Sequence, residues 1–309
     1  MRFRQLAGTL RRLRRCAAPG NPAAPAPPGG VKLFVPPGHF YSPVVDPSQL
    51  ASREAELFRE QRPLPGIDLN EAAQCALAEQ MREPYRRLWF PAEKSADARY
   101  FYRNGNFSYA DAVTLACLLQ ILRPRTMIEV GSGYSSALTL DIVERCLDWS
   151  TSLTFIEPYP DLLNSLTSET DRGRIEIIAS PVQAVPPAVF DRLGEGDILF
   201  IDSTHVVKSG SDVLHHFDEV LPRLRPGVII HIHDIFYPFE YPRAWVMEMN
   251  LSWNELYYVR AFLTNNPEYE IVFFNDFMRK RHFELMRDVA PLFLELGGSS
   301  LWLRKKAVA

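Results

Sequence analysis

The chain has 309 residues, 47% of them hydrophobic and 23% charged, enough for one sizeable core with an appendage. Its net charge of −3 hides a division: residues 1–30 carry six Arg and no acid, which leaves 28 basic against 37 acidic residues, a net of −9, in the remainder. A body that acidic argues against a grip on phosphate backbones, and no apolar run reaches the ~18 residues that cross a membrane. The four cysteines, Cys16, Cys75, Cys117 and Cys146, are far apart and form no C-x-x-C pair. Neither a zinc site nor a disulfide framework follows from them, so a reducing cytoplasm is the expected location.

At the N-terminus, Phe3, Leu6, Leu10 and Leu13 share one helical face with Arg around it. We read residues 1–30 as a disordered basic, Pro-rich tail. Weak contact with an anionic membrane surface and a transit peptide are the alternatives. Residues 31–95 are Pro-punctuated, with the aromatic patch His39-Phe40-Tyr41-Ser42-Pro43 and one predicted helix at 69–87. They hold too little for an independent core and are expected to form a small N-terminal cap on a main domain at 96–309.

From residue 96 the pattern is regular. Ser108 and Asp111 have capping-box spacing for a helix to about 122. Apolar runs at 126–130, 153–156, 175–178, 198–201 and 228–233 read as short buried strands. Helical patterns at 135–146, 161–168, 187–193 and 212–224 separate them. Strands alternating with helices predict a parallel sheet covered on both faces, joined by right-handed crossovers. Two more strands are predicted at 270–274 and 300–304. The fold expected is α/β: a Rossmann-like, seven-stranded, mostly parallel sheet with helices on both faces.

The most selective stretch is Met127-Ile-Glu-Val-Gly-Ser-Gly-Tyr-Ser-Ser136. A strand runs through a Gly-containing turn into a helix, the arrangement by which α/β folds bind nucleotide-like ligands. Glycine lets the backbone turn tightly and approach a ligand closely. A dinucleotide fingerprint wants G-x-G-x-x-G; here Ser136 stands where the third glycine belongs. Beyond this turn, the strands at 153–156, 198–201 and 228–233 lead into Glu157, Asp202 and Asp234, with His205, His231 and His233 nearby. Ligands of open parallel sheets bind at those carboxyl ends.

The pattern Glu129-x-Gly131-x-Gly133 resembles motif I of the class I S-adenosylmethionine-dependent methyltransferases. Together with FIEPYP, DILFIDSTHVVKSGSDV and RPGVIIHIHDIFYPFEYP, it resembles the branch of glycan and secondary-metabolite O-methyltransferases over residues 97–309. The resemblance implies S-adenosylmethionine as cofactor. It places Glu129, Gly131, Ser132, Gly133, Glu157 and Asp202 at that cofactor, with Glu157 on the ribose hydroxyls. It also implies a small-molecule or glycan acceptor and no nucleic acid; the oligomeric state is open.

Two chemistries fit the acceptor edge. In metal-assisted relatives, acids after the fourth and fifth strands hold magnesium, which points to Asp202 and Asp234 for Mg²⁺ or another divalent ion. Ile235 cannot supply a third ligand, and oxygen-poor His205 and His233 suit a softer ion better. Without metal, His205 is the expected general base on the acceptor hydroxyl, beside Asp202, with His233 second. His231 is expected to be a satisfied core histidine. Aromatic residues between Phe236 and Tyr258 are expected to form an acceptor lid. The rival functions are an NAD- or nucleotide-sugar-dependent enzyme on the same fold and a non-catalytic cofactor-binding module.

Overall fold

The computed structural model describes residues 32–307; the basic tail at 1–30 lies outside them. Seven strands form a single sheet: β1 Thr126–Val130, β2 Ser152–Ile156, β3 Ile175–Ile178, β4 Ile198–Ile201, β5 Ile229–Ile232, β6 Tyr269–Phe274 and β7 Leu301–Lys305. Their order is β3-β2-β1-β4-β5-β7-β6. The pairs β3–β2, β2–β1, β1–β4 and β4–β5 are parallel, and β7 runs antiparallel to both β5 and β6. The sheet is Rossmann-like and mostly parallel, and the order reverses between β1 and β4. That reversal opens a crevice at the carboxyl ends of the strands.

The central strands are apolar because both faces are covered. Ile198, Leu199, Phe200 and Ile201 of β4 are all buried, as are Ile229, Ile230 and Ile232 of β5. Four helices matter below: α1 Glu71–Gln80, α2 Tyr109–Leu122, α3 Tyr134–Cys146 and α4 Glu255–Leu263. Ten residues of α2, from Ala110 to Leu119, are buried. A helix apolar all round belongs in the interior, and α2 packs on α3 there.

Several local expectations meet tertiary competition. The capping box at Ser108 does not form: the Ser108 hydroxyl donates to the Tyr102 carbonyl. The Asp111 carboxylate instead accepts from Ser299 N, Ser300 N and the Ser300 hydroxyl. The predicted helix at 212–224 breaks into a helical turn, a π-turn at His216–Val220 and a 3₁₀ turn at Leu221–Arg223; Pro222, which has no N–H to donate, lies in the last of these. The helix predicted at 69–87 is likewise two pieces, α1 and Arg82–Arg86.

Within the segment expected to be a cap, α1 lies along the β6 edge. Phe274 N donates to Gln74 Oε1 at 2.8 Å, and Asn70 Nδ2 donates to the Ile271 carbonyl at 3.0 Å. Among the described residues, Cys75, Cys117 and Cys146 are free thiols, and no helix is long and apolar enough to cross a membrane.

Candidate active site

A cleft of about 700 Å³ lies over the carboxyl ends of β1, β4 and β5, within the ~300–1,000 Å³ range of ligand pockets. Its first end is built by the turn after β1. Gly131 has φ +84°, and a Cβ there would stand 1.7 Å from the Asp202 carbonyl oxygen. The glycine is required because β1 and β4 are pinched together at that point, where Asp202 N donates to the Val130 carbonyl at 2.9 Å. Gly133 is extended (φ −178°) and begins α3, so its need is weaker.

The carboxylates at this end differ in kind. Glu157, just beyond β2, accepts from Ser132 N at 3.1 Å and from Tyr159 N at 2.8 Å, one bond on each oxygen. Each oxygen therefore keeps a lone pair, and the residue lines the cleft. Glu129 is fully buried beneath the turn and accepts from the Ser135 and Ser136 hydroxyls at 2.5 and 2.9 Å. Burial pushes its pKa up to about 8 against the pull of those two hydroxyls. Of the six residues expected at the cofactor, Gly131, Ser132, Gly133, Glu157 and Asp202 line the cleft and Glu129 does not. The Ser132 hydroxyl is buried without a hydrogen-bond partner.

At the other end, Asp111, His233 and Asp234 meet Phe107, Phe236, Trp245 and Trp253. His233 is buried, and its Nδ1 has no partner. Burial works to lower its pKa, but the carboxylates of Asp202, Asp234 and Asp111 outweigh that and hold it above the ordinary histidine value. Asp202 shows the converse. Burial opposes its charge, yet His233 and His205 hold its carboxyl well below the usual range. His231 lies deeper, stacked on Phe200 at 3.7 Å and bonded through Nε2 to the Ser300 hydroxyl at 2.9 Å.

His205 is not where a base on the acceptor belongs. It sits behind the cleft wall, 5% exposed, with φ +60°. Its Nδ1 meets Glu255 Oε2 at 2.9 Å, and its Nε2 lies 3.4 Å from Asp202 and 3.5 Å from Asp234. Burial acts to lower its pKa, but those three carboxylates raise it well above the ordinary value. Both nitrogens are committed to carboxylates, so neither is free to take a proton from an acceptor. The ring occupies the gap between Asp202 and Asp234, the two acids expected to hold a metal ion. Among the described residues, no group of three or more His, Cys, Asp or Glu is arranged to hold one. The site between Asp202 and Asp234 is filled by an imidazole held by three carboxylates, and this donor set does not fit a metal ion.

Sequence reasoning missed Glu255, Asp111 and the turn at Phe107. Glu255 begins α4, whose start is stapled to the loop after β4: Asn254 N and Glu255 N both donate to the His205 carbonyl. Asn254 Oδ1 also accepts from Val207 N at 2.6 Å. Phe107, 5.5 Å from the His233 ring, is set by Asn104, whose Oδ1 accepts from Asn106 N and Phe107 N. The Asn104-Gly105-Asn106 run was a readable turn signal. Of the aromatic stretch expected as a lid, Phe236, Trp245 and Trp253 face the cleft, while Phe239 and Tyr241 are core.

A family profile described as "Methyltransferase domain" matches residues 128–235, from β1 through the end of β5. An uncharacterized protein of Archaeoglobus fulgidus is 32% identical over 177 residues, covering 54% of this chain and 76% of that one. The chain belongs to one family with this relative, and residues 128–235 carry a methyltransferase domain. The methyltransferase PaMTH1 of Podospora anserina, solved with S-adenosylhomocysteine, is similar at 14% identity. That match covers 90% of this chain and 100% of the other, with a TM-score of 0.43. The O-methyltransferase TomG of Streptomyces achromogenes, solved with S-adenosylmethionine, is similar at 14% identity over 84% and 96% of the two chains, with a TM-score of 0.41. Within this methyltransferase the matched residues hold the glycine turn, Glu157, Asp202, His205, His233 and Asp234.

Proposed function

We propose that this chain binds S-adenosylmethionine at the Gly131–Ser135 end of the cleft and transfers its methyl group to a hydroxyl held at the His233–Asp234 end. The observation that carries this reading is the charge of the cleft. Among the described residues that line it, Asp111, Glu157, Asp202 and Asp234 are acids and none is Lys or Arg. A pyrophosphate would meet four acids against the single His233 and no Lys or Arg, which disfavours NAD and nucleotide sugars. A sulfonium is a cation and suits the same wall.

When bound, S-adenosylmethionine supplies an electrophilic methyl group. The rest falls to the chain. Glu157 accepts from two vicinal hydroxyls with the lone pairs its backbone bonds leave free. The Ser132 hydroxyl offers a further bond from a buried, unpartnered site. At the other end, Phe107, Phe236, Trp245 and Trp253 hold a flat apolar body, which favours a ring-bearing small-molecule acceptor. His233 Nδ1 takes the hydroxyl proton, and Asp202, Asp234 and Asp111 stabilise the imidazolium that forms. His205, pinned by Glu255, positions Asp202 and Asp234 and balances their charge.

Calorimetry tests the donor. S-Adenosylhomocysteine should bind and NAD should not, and Glu157→Ala should weaken S-adenosylhomocysteine by about 2–3 kcal/mol. Unchanged affinity in that variant would remove Glu157 from the site. Turnover of labelled donor against a panel of hydroxylated rings tests the acceptor.

A further inference from the structure

Beside the main cleft lies a second cavity, of about 250 Å³ and of opposite character. It is lined by Pro43, Val45 and residues between Tyr241 and Tyr257, and it shares Trp245, Leu251 and Trp253 with the cleft. The cleft presents four acids and His233. Among the described residues, the lining of the second cavity includes no Asp, Glu, Lys, Arg or His. Its polar side chains are already hydrogen-bonded within the protein. Asn250 Nδ2 donates to the Val45 carbonyl at 3.1 Å, and Asn250 Oδ1 accepts from the Ser252 hydroxyl at 2.9 Å. Asn254 both accepts from and donates to the Val207 backbone. The Tyr241 hydroxyl accepts from Leu256 N at 3.1 Å, and the Tyr257 hydroxyl donates to Glu240 at 2.5 Å. What is left for a ligand is mostly the apolar surface of Val45, Val246 and Leu251 and the two indoles.

The tryptophans common to the two cavities meet edge to face, with ring centroids 5.4 Å apart and planes at 86°. The His205 ring backs Trp253 at 4.6 Å, and His205 is itself held by Glu255. One molecule that spans this pair gains aromatic contact in both cavities.

We propose that the second cavity is the other half of the acceptor site and takes a hydrocarbon substituent of the molecule whose hydroxylated ring lies in the cleft. The inference rests on the reading of the cleft as a methyl-transfer site and deepens it: the acceptor is an amphiphile, with the hydroxyl on its polar end and a hydrocarbon group at the other. An apolar cavity of ~150 Å³ holds a benzene, so about 250 Å³ suits a ring with a short side chain or an alkyl chain of similar bulk. A sugar in the second cavity is the lesser fit, because its hydroxyls would give up water and find their partners taken.

Calorimetric titration of the full chain with phenol, 4-propylphenol and 4-hexylphenol tests it, with and without S-adenosylhomocysteine. Affinity should rise about two- to fourfold per added CH₂. Val45→Trp and Val246→Phe each fill the second cavity with side chain and should abolish that dependence on tail length. Val45 is 36% exposed, so the larger residue is accommodated there, and an unchanged circular dichroism melt shows that each variant is folded. Affinities that are absent or flat along the series, in protein that binds S-adenosylhomocysteine, overturn the inference and leave the transfer reading standing. A rise that both folded variants leave intact also overturns it, by placing the tail elsewhere. A rise that the variants abolish, in protein that binds no S-adenosylhomocysteine, keeps the cavity as a site for hydrocarbon and overturns the transfer reading instead.

Discussion

The two ends of the cleft are assembled differently. At the donor end the contacts are short in sequence. Gly133 N donates to Ser136 Oγ three residues on, and Ser135 and Ser136 reach Glu129 across six and seven residues. Even Ser132 to Glu157 spans only 25. At the acceptor end His205 meets Glu255 across 50 residues, Ser299 meets Asp234 across 65, and Ser300 meets Asp111 across 189. The donor end is therefore mostly a local motif, tied to the rest of the sheet where Gly131 meets Asp202. The acceptor end exists only once the whole sheet has closed. Damage to the first should fall on the fold and on cofactor affinity; damage to the second should fall on chemistry at His233 and on stability where it breaks the buried His205–Glu255 pair.

The largest effect expected is Gly131→Ala. A Cβ 1.7 Å from the Asp202 backbone oxygen, on a residue with φ +84°, has nowhere to go. Either β4 moves away or the turn unwinds, and the loss should exceed about 4 kcal/mol, among the rare severe single substitutions. Denaturant unfolding checks it. A loss under about 1 kcal/mol would mean that the pinch between β1 and β4 relaxes easily.

Next comes a pH effect at the same end. Glu129 is fully buried, with a pKa pushed up to about 8 from 4.5. The fold favours its protonated form, so the stabilisation is complete below about 4.5 and is lost as pH rises through about 8. At ~1.36 kcal/mol per pH unit, the wild type should lose about 4–5 kcal/mol relative to Glu129→Gln across that window. Unfolding midpoints for both proteins at pH 5 and pH 8 read the difference. Parallel profiles would show that Glu129 is ionised in the fold.

The same contrast explains what the sequence disclosed. All seven strands lie within two residues of their predicted ends, because each is a largely apolar run bounded by turn residues, and the central β4 and β5 are buried throughout. The glycine turn was legible for the same local reason. Asp111 misled: its spacing from Ser108 signals a helix cap, but tertiary burial recruits its carboxylate to residues 299 and 300. His205 misled likewise. Three residues past Asp202 it reads as a loop base, and only the arrival of Glu255 from α4 commits its second nitrogen. No local pattern announces a partner 50 residues away.

The two histidines of the acceptor end should therefore fail in different ways. His233→Ala removes the cleft-lining imidazole whose Nδ1 has no partner. It should lower kcat by about 10²–10⁴ with S-adenosylhomocysteine affinity nearly unchanged, and high pH should restore part of the rate as the acceptor hydroxyl ionises unaided. His205→Ala leaves Glu255, 1% exposed, without its partner. It should cost about 3–5 kcal/mol of stability. A His205 variant that keeps its stability and loses only kcat would return the role of base to His205.

The smallest effect expected is that of a chelator, and its smallness is the point. If Asp202 and Asp234 held a metal ion in the working enzyme, His205 Nε2, 3.4 and 3.5 Å from them, would have to swing out of the gap. That would break the 2.9 Å contact with Glu255 and the backbone bonds from Asn254 and Glu255 that fix its carbonyl. The imidazole already supplies a positive charge between the two acids, so a cation entering there would displace one charge to install another. Methyl transfer by the wild type should be unchanged in excess chelator and should gain nothing from added Mg²⁺. His205→Asn opens the gap and leaves the carboxylates uncompensated, so this variant, and not the wild type, should take up Mn²⁺ in an electron paramagnetic resonance titration. Loss of wild-type activity on chelation, restored by a divalent ion, would show that His205 yields its place and that the acceptor end is built around a metal after all.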